Sequence, residues 1–230
     1  MAIGQTEPAD AKKKGSWDEA HMEKVLWSSK EIEKRVEELG AVITQDFAGK
    51  PLVIIGVATG AFLFLADLVR KIQLPVLVDF IRMQSYGNRT TSSGVATCVT
   101  DVRIDVKDKH VLLVEDIVDT GITLSTLVAH FGTKDVASFS VCTLLDKPSR
   151  RIVPLQLAPG GNYYRGFECP DEFVVGYGMD YAERYRCLPY IGDPKGTSSQ
   201  GFEAKRGSNA YGGSDAGDSF RGEDRYTSNF

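Results

Sequence analysis

Three carboxylates follow a short apolar run in the segment VLLVEDIVDTGIT, which extends from Val111 to Thr123. The residues VLLV predict a strand buried in a sheet, and such a strand delivers its last residues to the edge of the sheet. Because successive side chains of a strand point to opposite sides, we expect Glu115 and Asp116 to lie on different faces there. Carboxylate oxygens accept hydrogen bonds, so they suit the vicinal hydroxyls of a sugar or the water shell of Mg²⁺.

The residues that follow are suited to binding a phosphate. Asp119, Thr120 and Gly121 stand where the loop is predicted to become a helix. The first N–H groups of that helix, with the hydroxyls of Thr120 and Thr123, would form a phosphate site. In the alternative interpretation, Asp119 caps the helix and the other two carboxylates are solvated. That alternative explains one carboxylate but not three together, so a sugar phosphate is the favoured ligand.

Helices and strands are predicted to alternate around this segment. Ser28 and Glu31 have the spacing of a helix capping box, and apolar residues then recur at helical intervals. Such alternation predicts an α/β fold with a mainly parallel, twisted sheet flanked by helices, which binds ligands at the carboxyl ends of its strands. The predicted strands are Leu52–Val57, Val76–Arg82, Val95–Val102, Val111–Val114 and Phe139–Leu145; the predicted helices are Ser28–Phe47, Phe62–Ile72 and Leu124–Gly132.

Two stretches of the predicted domain lack this regular pattern. The segment MQSYGNRTTSSG, residues 83–94, is predicted to be a long polar loop, which in a compact domain is a functional lid or a tolerated insertion. Residues 146–193 are predicted to be irregular, with one short strand and a glycine turn in EFVVGYGMDY. This region would form a small hood over the carboxyl edge of the sheet.

The composition narrows the class of protein. The chain has 230 residues, a net charge of −4 and 42% hydrophobic residues. It therefore has no overall basic field for nucleic acid or an anionic membrane, and neither partner is expected. The four cysteines form no CxxC pair and the apolar runs are too short to span a bilayer, so a cytoplasmic location is expected. The histidines His21, His110 and His130 are isolated in sequence and are interpreted as structural.

Three regions are predicted along the chain. Residues 1–15 are polar, include three consecutive lysines and are expected to be flexible. Residues 16–194 would form the folded domain. Residues 195–230 form a Gly- and Ser-rich tail, which contains no Leu, Ile, Val or Met beyond Lys195 and is predicted to be disordered. Its spaced aromatic residues would suit weak contacts with RNA, but its balanced charge favours a dispensable tail.

Four ordered segments resemble motifs of the type I phosphoribosyltransferases. VLLVEDIVDTGIT resembles the family's motif for 5-phosphoribosyl-1-pyrophosphate (PRPP), and the other three narrow the resemblance to the hypoxanthine-guanine phosphoribosyltransferases. SYGNRTTSSG is similar to the family's lid, LLDKPSRR to its base-binding lysine segment, and FVVGYGMDYAERYR to its purine and pyrophosphate segment. The resemblance covers roughly Val25 to Ile191. It implies the type I fold with its hood, and a homodimer or homotetramer.

The resemblance also implies a reaction, in which PRPP and a 6-oxopurine give a nucleoside monophosphate and pyrophosphate with Mg²⁺ as cofactor. Asp119 would take the proton at N7 of the purine while N9 attacks. The implied PRPP-binding residues are Glu115, Asp116, Asp119, Thr120, Gly121, Ile122 and Thr123, and Ala58, Thr59, Gly60 and Arg186 would bind pyrophosphate. The implied purine-binding residues are Lys147, Phe173, Val174 and Asp180; Ser85 and Tyr86 belong to the lid; and Glu115, Asp116 and Asp180 are the implied metal ligands.

Each of these residues also has a simpler interpretation when it is taken alone. Arg186 would form a surface salt bridge, and Phe173 would belong to the core. Lys147 would be solvated, and Asp180 would stabilise a turn.

One position departs from the family pattern. GVATGAF, residues 56–62, occupies the place of the family's pyrophosphate loop, where a lysine commonly precedes the glycine, yet this chain has Thr59. Pyrophosphate is then bound more weakly, or its charge is met by another residue. The resemblance further implies a cis peptide bond between Ala58 and Thr59.

Two functions from different classes fit these motifs. The first is a purine-salvage enzyme, and the second is a PRPP-sensing regulatory protein without turnover. A sensor needs no base pocket, so the presence of Lys147, Phe173 and Asp180 favours the enzyme.

Overall fold

The structure, a computed structural model, describes residues 22–88 and 91–195, without the side chains of residues 85–96. The predicted flexible segment 1–15 and almost all of the predicted tail lie outside the described residues. The side chains of the lid residues Ser85 and Tyr86 also lie outside them.

Within the described residues, six strands form a central sheet with helices on both faces. The strands lie in the order β4-β3-β2-β5-β6-β7. All neighbours are parallel except β4, which runs antiparallel to β3 at one edge. This arrangement confirms the predicted fold class. The elements are β1 Met22–Trp27, α1 Ser29–Asp46, β2 Leu52–Ala58, α2 Phe62–Lys71, β3 Val76–Asn88, β4 Thr91–Thr100, β5 His110–Val118, α3 Ile122–Gly132, β6 Ser138–Asp146, β7 Tyr163–Glu168 and β8 Ile191–Pro194.

The sheet has a separate core on each face. Ile54 of β2 packs with residues of α1 and α2 on one face, whereas Val53 and Ile55 pack with residues of α3 on the other. Both faces of the central strands are therefore covered, which explains why their sequences are continuous apolar runs rather than alternating ones.

Helix α1 begins as its sequence predicts. The Ser28 side chain accepts a hydrogen bond from the Glu31 backbone N–H, and the Glu31 carboxylate accepts one from the Ser28 backbone N–H at 2.8 Å. The two residues form a complete capping box, so two backbone donors at the helix start are satisfied. The helix then buries its apolar stripe against the sheet, including Ile32, Val36, Leu39 and Ile43.

The hood lies apart from the main sheet and is less regular than predicted. Strand β1 pairs antiparallel with β8, so the two ends of the described chain meet there. The prediction of a short strand in EFVVGYGMDY is wrong, because this segment makes only isolated β-bridges, such as the one between Val175 and Gly192. Gly176 and Gly178 have φ values of 101° and 104°, which belong to turns rather than to a strand.

The prediction that residues 83–94 form a loop is also wrong. Strand β3 extends to Asn88 and β4 begins at Thr91, so most of this segment is a paired hairpin. Backbone hydrogen bonds between two arms do not require apolar side chains, and hydropathy therefore gave no signal for them.

Two further observations bear on the environment of the chain. No helix in the described part of the chain is long and apolar enough to cross a membrane. All four cysteines lie in that part, and none of them forms a disulfide there.

The capping box makes a testable contribution to stability. We expect Ser28→Ala to lower the free energy of unfolding by about 1 kcal/mol, because it leaves one helix N–H without its acceptor. That loss corresponds to a melting temperature about 2–4 °C lower for a domain of this size. Ser29→Ala, one residue further along at an exposed helical position, is the matched control and should stay within about 0.5 kcal/mol. Equal losses in thermal or urea unfolding of the two variants would contradict the assignment.

Candidate active site

The candidate site lies where the central parallel strands end. Strands β2, β5 and β6 are neighbours, and their carboxyl ends meet at one edge of the sheet. From β2 the chain continues to β3, which lies on the side of β2 away from β5. From β5 it continues to β6, which lies on the side of β5 away from β2. The strand order therefore diverges between β2 and β5, which is where open α/β sheets bind their ligands.

Glu115 and Asp116 lie within β5, on opposite faces of the sheet as predicted. Strand β5 continues to Val118, so the two carboxylates are more enclosed than residues beyond a strand end. Glu115 is buried, and its Oε2 atom has no hydrogen-bond partner among the residues that the structure describes. Burial, and then the charge of Asp116, raise the pKa of Glu115 well above its ordinary value. Burial also raises the pKa of Asp116 to about 6, although backbone N–H groups and Arg186 oppose this.

The predicted pyrophosphate loop lies directly against Asp116. A Cβ atom at Gly60 would lie 2.0 Å from Oδ2 of Asp116, so a side chain at this position would displace the Asp116 carboxylate. The peptide bond between Ala58 and Thr59 is cis, as the family resemblance implied. Thr59 is exposed at the mouth of the site. The structure therefore brings the loop after β2 and the acidic pair of β5 together.

The start of helix α3 has the features of an anion site. Its N-cap residue is Gly121, with a φ of 85°, which has no side chain to cap the helix. The Ile122 backbone N–H donates to the Thr120 hydroxyl over 3.5 Å, a long and therefore weak hydrogen bond that a ligand can replace. A cavity of about 90 Å³ opens here, lined by residues that include Glu115, Asp119, Thr120, Gly121 and Thr123.

Asp119 does not cap the helix, so the alternative interpretation is wrong on this point. Its Oδ1 atom accepts a hydrogen bond from Arg150 Nε at 2.8 Å. Both side chains are partly exposed, at 40% and 46%. An ion pair with this exposure is weak and can rearrange when a ligand arrives.

Arg150 and Arg151 are site residues to which the sequence analysis assigned no role. Arg150 also contacts Asp171, and Arg151 donates to the backbone oxygen of Asp119 and forms an ion pair with the buried Asp146. The two arginines hold the segment after β6 against the acidic loop. The run SRR shortly after Lys147 could have indicated them. Pairs of arginines are common on protein surfaces, however, so the run alone did not indicate a site.

Lys147 is buried rather than solvated, so its simpler interpretation is wrong. Its backbone N–H donates to Val118 at 3.0 Å, and its ammonium group donates to the backbone oxygen of Glu172. Only 7% of the residue is exposed. The lysine therefore crosses from the end of β6 to the segment that carries Phe173.

The predicted purine-binding residues follow directly after that contact. The Phe173 ring is partly buried and lies edge-on to Tyr181, with 5.7 Å between ring centroids. Val174 is buried and belongs to the core beneath. One side of the candidate base pocket is thus formed by aromatic residues of the hood.

Asp180 and Arg186 form an ion pair at 2.8 Å. Arg186 also contacts Glu183 and donates to the backbone oxygen of Gly178. Both partners act on the pKa of Asp116, which Arg186 lowers and Asp180 raises, so the pair lies near that carboxylate. The simpler interpretations remain partly valid, because Arg186 is in a salt bridge and Asp180 accepts from the Glu183 backbone N–H in a turn.

Comparisons with known proteins agree with this arrangement. Residues 26–182 match the model of the phosphoribosyl transferase domain. The chain is 46% identical to the hypoxanthine phosphoribosyltransferase of Haemophilus influenzae, over 75% of this chain and 95% of the relative. It is 47% identical to the hypoxanthine-guanine phosphoribosyltransferase of Bacillus subtilis, over 74% of this chain and 92% of the relative.

A solved structure shares the fold as well. The crystal structure of a hypoxanthine phosphoribosyltransferase from Staphylococcus aureus superposes with a TM-score of 0.73 at 39% identity, over 80% of this chain and 97% of that one. The order of the motifs, the geometry of the acidic strand and the matched length all agree. The chain therefore belongs to the phosphoribosyltransferase family, and within it to the hypoxanthine-guanine phosphoribosyltransferases.

Proposed function

We propose that the chain transfers the 5-phosphoribosyl group of PRPP to N9 of a 6-oxopurine in purine salvage. A bond forms between N9 and C1 of the ribose, the bond from C1 to pyrophosphate breaks, and the purine loses one proton. Hypoxanthine and guanine are the proposed bases, with xanthine as a further candidate. The observation that carries the proposal is the start of α3 at Gly121 beside the buried Glu115 and the half-buried Asp116, with the buried Lys147 at the end of the adjacent strand.

The 5-phosphate would bind at the start of α3. Backbone N–H groups from Thr120 to Thr123 and the positive end of the helix dipole favour an anion there. The turn that presents these groups depends on glycine, because Gly121 has a φ of 85° and a Cβ atom there would lie 2.7 Å from the Val153 backbone oxygen. Glu115 and Asp116 would accept hydrogen bonds from the ribose hydroxyls.

The site is also suited to Mg²⁺. The Oε2 atom of Glu115 has no hydrogen-bond partner among the described residues, and the pKa values of Glu115 and Asp116 are raised. A hard cation bound by these oxygen atoms would stabilise their charged forms. Glu115 and Asp116 would hold one ion, and Asp180 would hold a second. A bound Mg²⁺ supplies positive charge where charge develops on pyrophosphate.

Pyrophosphate would lie between the loop Ala58–Thr59–Gly60 and Arg186. Thr59 provides no positive charge, so Arg186 is the cation that would stabilise the leaving group. Its ion pair with Asp180 would then be exchanged for, or shared with, the pyrophosphate oxygens. Ser85 and Tyr86 would close over PRPP and exclude water, which otherwise hydrolyses the activated sugar.

The purine would lie between the hood and the acidic loop. Phe173 would stack on the base, the Val174 backbone would contact its Watson–Crick edge, and Lys147 would donate to O6. Asp180 would face the 2-position. Asp119 would accept the proton at N7, after its weak pair with Arg150 rearranges.

The regulatory alternative receives no support from the comparisons, since the matched relatives are named as transferases. The buried position of Lys147 beside Phe173 also favours an enzyme, because a PRPP sensor has no use for a base pocket. A cytoplasmic location is part of the proposal and is supported by the unpaired cysteines.

A homodimer or homotetramer is a further part of the proposal. Val78 and Phe80 lie on β3, Val99 lies on the neighbouring edge strand β4, and they are 42%, 44% and 52% exposed. Large apolar side chains grouped on a sheet edge are typical of a surface that another copy covers.

The role of Asp119 can be tested by removing its basicity alone. We expect Asp119→Asn to lower kcat by roughly 10²-fold or more while PRPP affinity changes much less, because the amide keeps the size but does not accept the proton. Asp171→Asn is the matched control, since Asp171 shares Arg150 but has no proposed contact with the base. Near-normal turnover of Asp119→Asn would remove Asp119 from proton transfer and leave residues 119–123 with phosphate binding as their only proposed role.

The identity of the base can be tested at its 6-position. Lys147 only donates, so it matches a 6-oxo group and opposes the amino group of adenine. We expect adenine to be used at least ~10³-fold less efficiently than hypoxanthine, because buried donors are left unpaired. Lys147→Gln should narrow this ratio, mainly by impairing hypoxanthine use.

The measurement is kcat/KM for both bases in wild type, in Lys147→Gln and in Lys24→Gln. Lys24 is the matched control, because it contacts the Glu172 carboxylate from the exposed side. Equal use of the two bases by wild type would overturn the assignment to 6-oxopurines. An unchanged ratio in Lys147→Gln alone would remove Lys147 from base recognition, and binding of PRPP without any turnover would favour the sensor.

A further inference from the structure

Three metal-ligating side chains meet outside the candidate active site. Cys98 lies in β4, Asp101 follows the end of that strand, and His130 lies near the end of α3. One ligand atom from each lies within 4.8 Å of the other two. The sequence separates them by up to 32 positions without any metal-binding spacing, which is why the histidine was interpreted as structural.

The three ligand types favour a soft divalent cation. Thiolate and imidazole together select zinc over magnesium or calcium, and a carboxylate completes a common donor set. A tetrahedral zinc ion with ordinary bond lengths keeps its ligand atoms about 3.3–3.6 Å apart. His130 Nε2 and Asp101 Oδ1 are 2.9 Å apart and would separate by about half an ångström to admit the ion, and the Cys98 sulfur, within 4.8 Å of both, would approach by up to about 1.2 Å.

A second contact orients the carboxylate. Lys134 Nζ donates to Oδ2 of Asp101 at 2.7 Å, on the oxygen that does not contact His130. Outer hydrogen bonds of this kind fix the direction of a metal ligand. The same contacts form an ion-pair network that holds β4 to α3 without a metal, and the positive charge of Lys134 opposes a cation. An experiment must therefore distinguish a metal site from this network.

We propose that Cys98, Asp101 and His130 bind one zinc ion, with water or an external ligand in the fourth position. The Cys98 thiol gives up its proton to solvent on binding, and the hydrogen that His130 Nε2 shares with Asp101 leaves for Nδ1 or for solvent. Lys134 stays on the outer oxygen of Asp101. The ion would join β4 to α3. Strand β4 is one arm of the hairpin whose other arm carries Ser85 and Tyr86, and α3 begins at the proposed phosphate loop.

This site does not depend on the proposed transferase activity, and zinc binding is its direct readout. The untagged full-length chain is titrated with zinc in excess Mg²⁺, so that sites formed by oxygen ligands are filled. One zinc ion should bind per chain, and saturation should raise the melting temperature by about 5 °C or more until EDTA reverses it. Cys98→Ser and His130→Gln should each weaken binding at least about tenfold.

Two matched variants and a spectroscopic probe complete the test. Cys187→Ser and His110→Gln remove the same atom types elsewhere and should leave zinc binding unchanged, with all melting temperatures in EDTA reporting intact folds. Cobalt in place of zinc should give thiolate charge-transfer absorption and the visible bands of a four-coordinate site in wild type, and the former should vanish in Cys98→Ser.

Three results would overturn the proposal. The first is no zinc bound in excess Mg²⁺. The second is zinc binding that survives both Cys98→Ser and His130→Gln. The third is cobalt binding to wild type without thiolate charge-transfer absorption. This result tests ligation by Cys98 in the wild-type chain, so it does not depend on whether a variant folds.

Discussion

Two adjacent carboxylates in strand β5 of the mainly parallel sheet, Glu115 buried and Asp116 half-buried, determine how the rest of this site is built. Burial raises the pKa of both Glu115 and Asp116, so the folded chain opposes their charge. Because their folded pKa values lie above the unfolded ones, these groups lower the stability of the fold as pH rises through the folded values. Such a pair is retained where its charge is used to bind a ligand, and the neighbouring groups face the same ligand position.

The surroundings divide between the two faces of β5. On the face of Asp116, Gly60 lies so close to the carboxylate that a side chain there would displace it, and the Asp180–Arg186 pair supplies charge from the hood. On the face of Glu115, the left-handed Gly121 starts α3 and places only a weak Thr120 contact on its first N–H group. One sugar phosphate with a cation would satisfy both faces at once, which is why the proposed ligand explains the whole arrangement.

Much of this could be predicted from the sequence, because it depends on local patterns. The unbroken apolar runs predicted β2 and β5, and the capping box predicted the start of α1. What escaped prediction depends on long-range pairing. Strands β1 and β8 exist only because the two ends of the domain meet, and the β3–β4 hairpin is held by backbone hydrogen bonds that hydropathy does not reveal. Arg150, Arg151 and the group around Cys98 likewise become visible only when distant segments are brought together.

The central claim is that Glu115 and Asp116 are kept for binding at a cost in stability. It is tested most directly by the double variant Glu115→Gln/Asp116→Asn, measured by thermal unfolding at about pH 8 and by calorimetric titration with PRPP in Mg²⁺. Its melting temperature should equal or exceed that of wild type, while PRPP affinity should fall at least about tenfold, since hydrogen bonds to charged groups are lost. A lower melting temperature with unchanged PRPP affinity would contradict the claim.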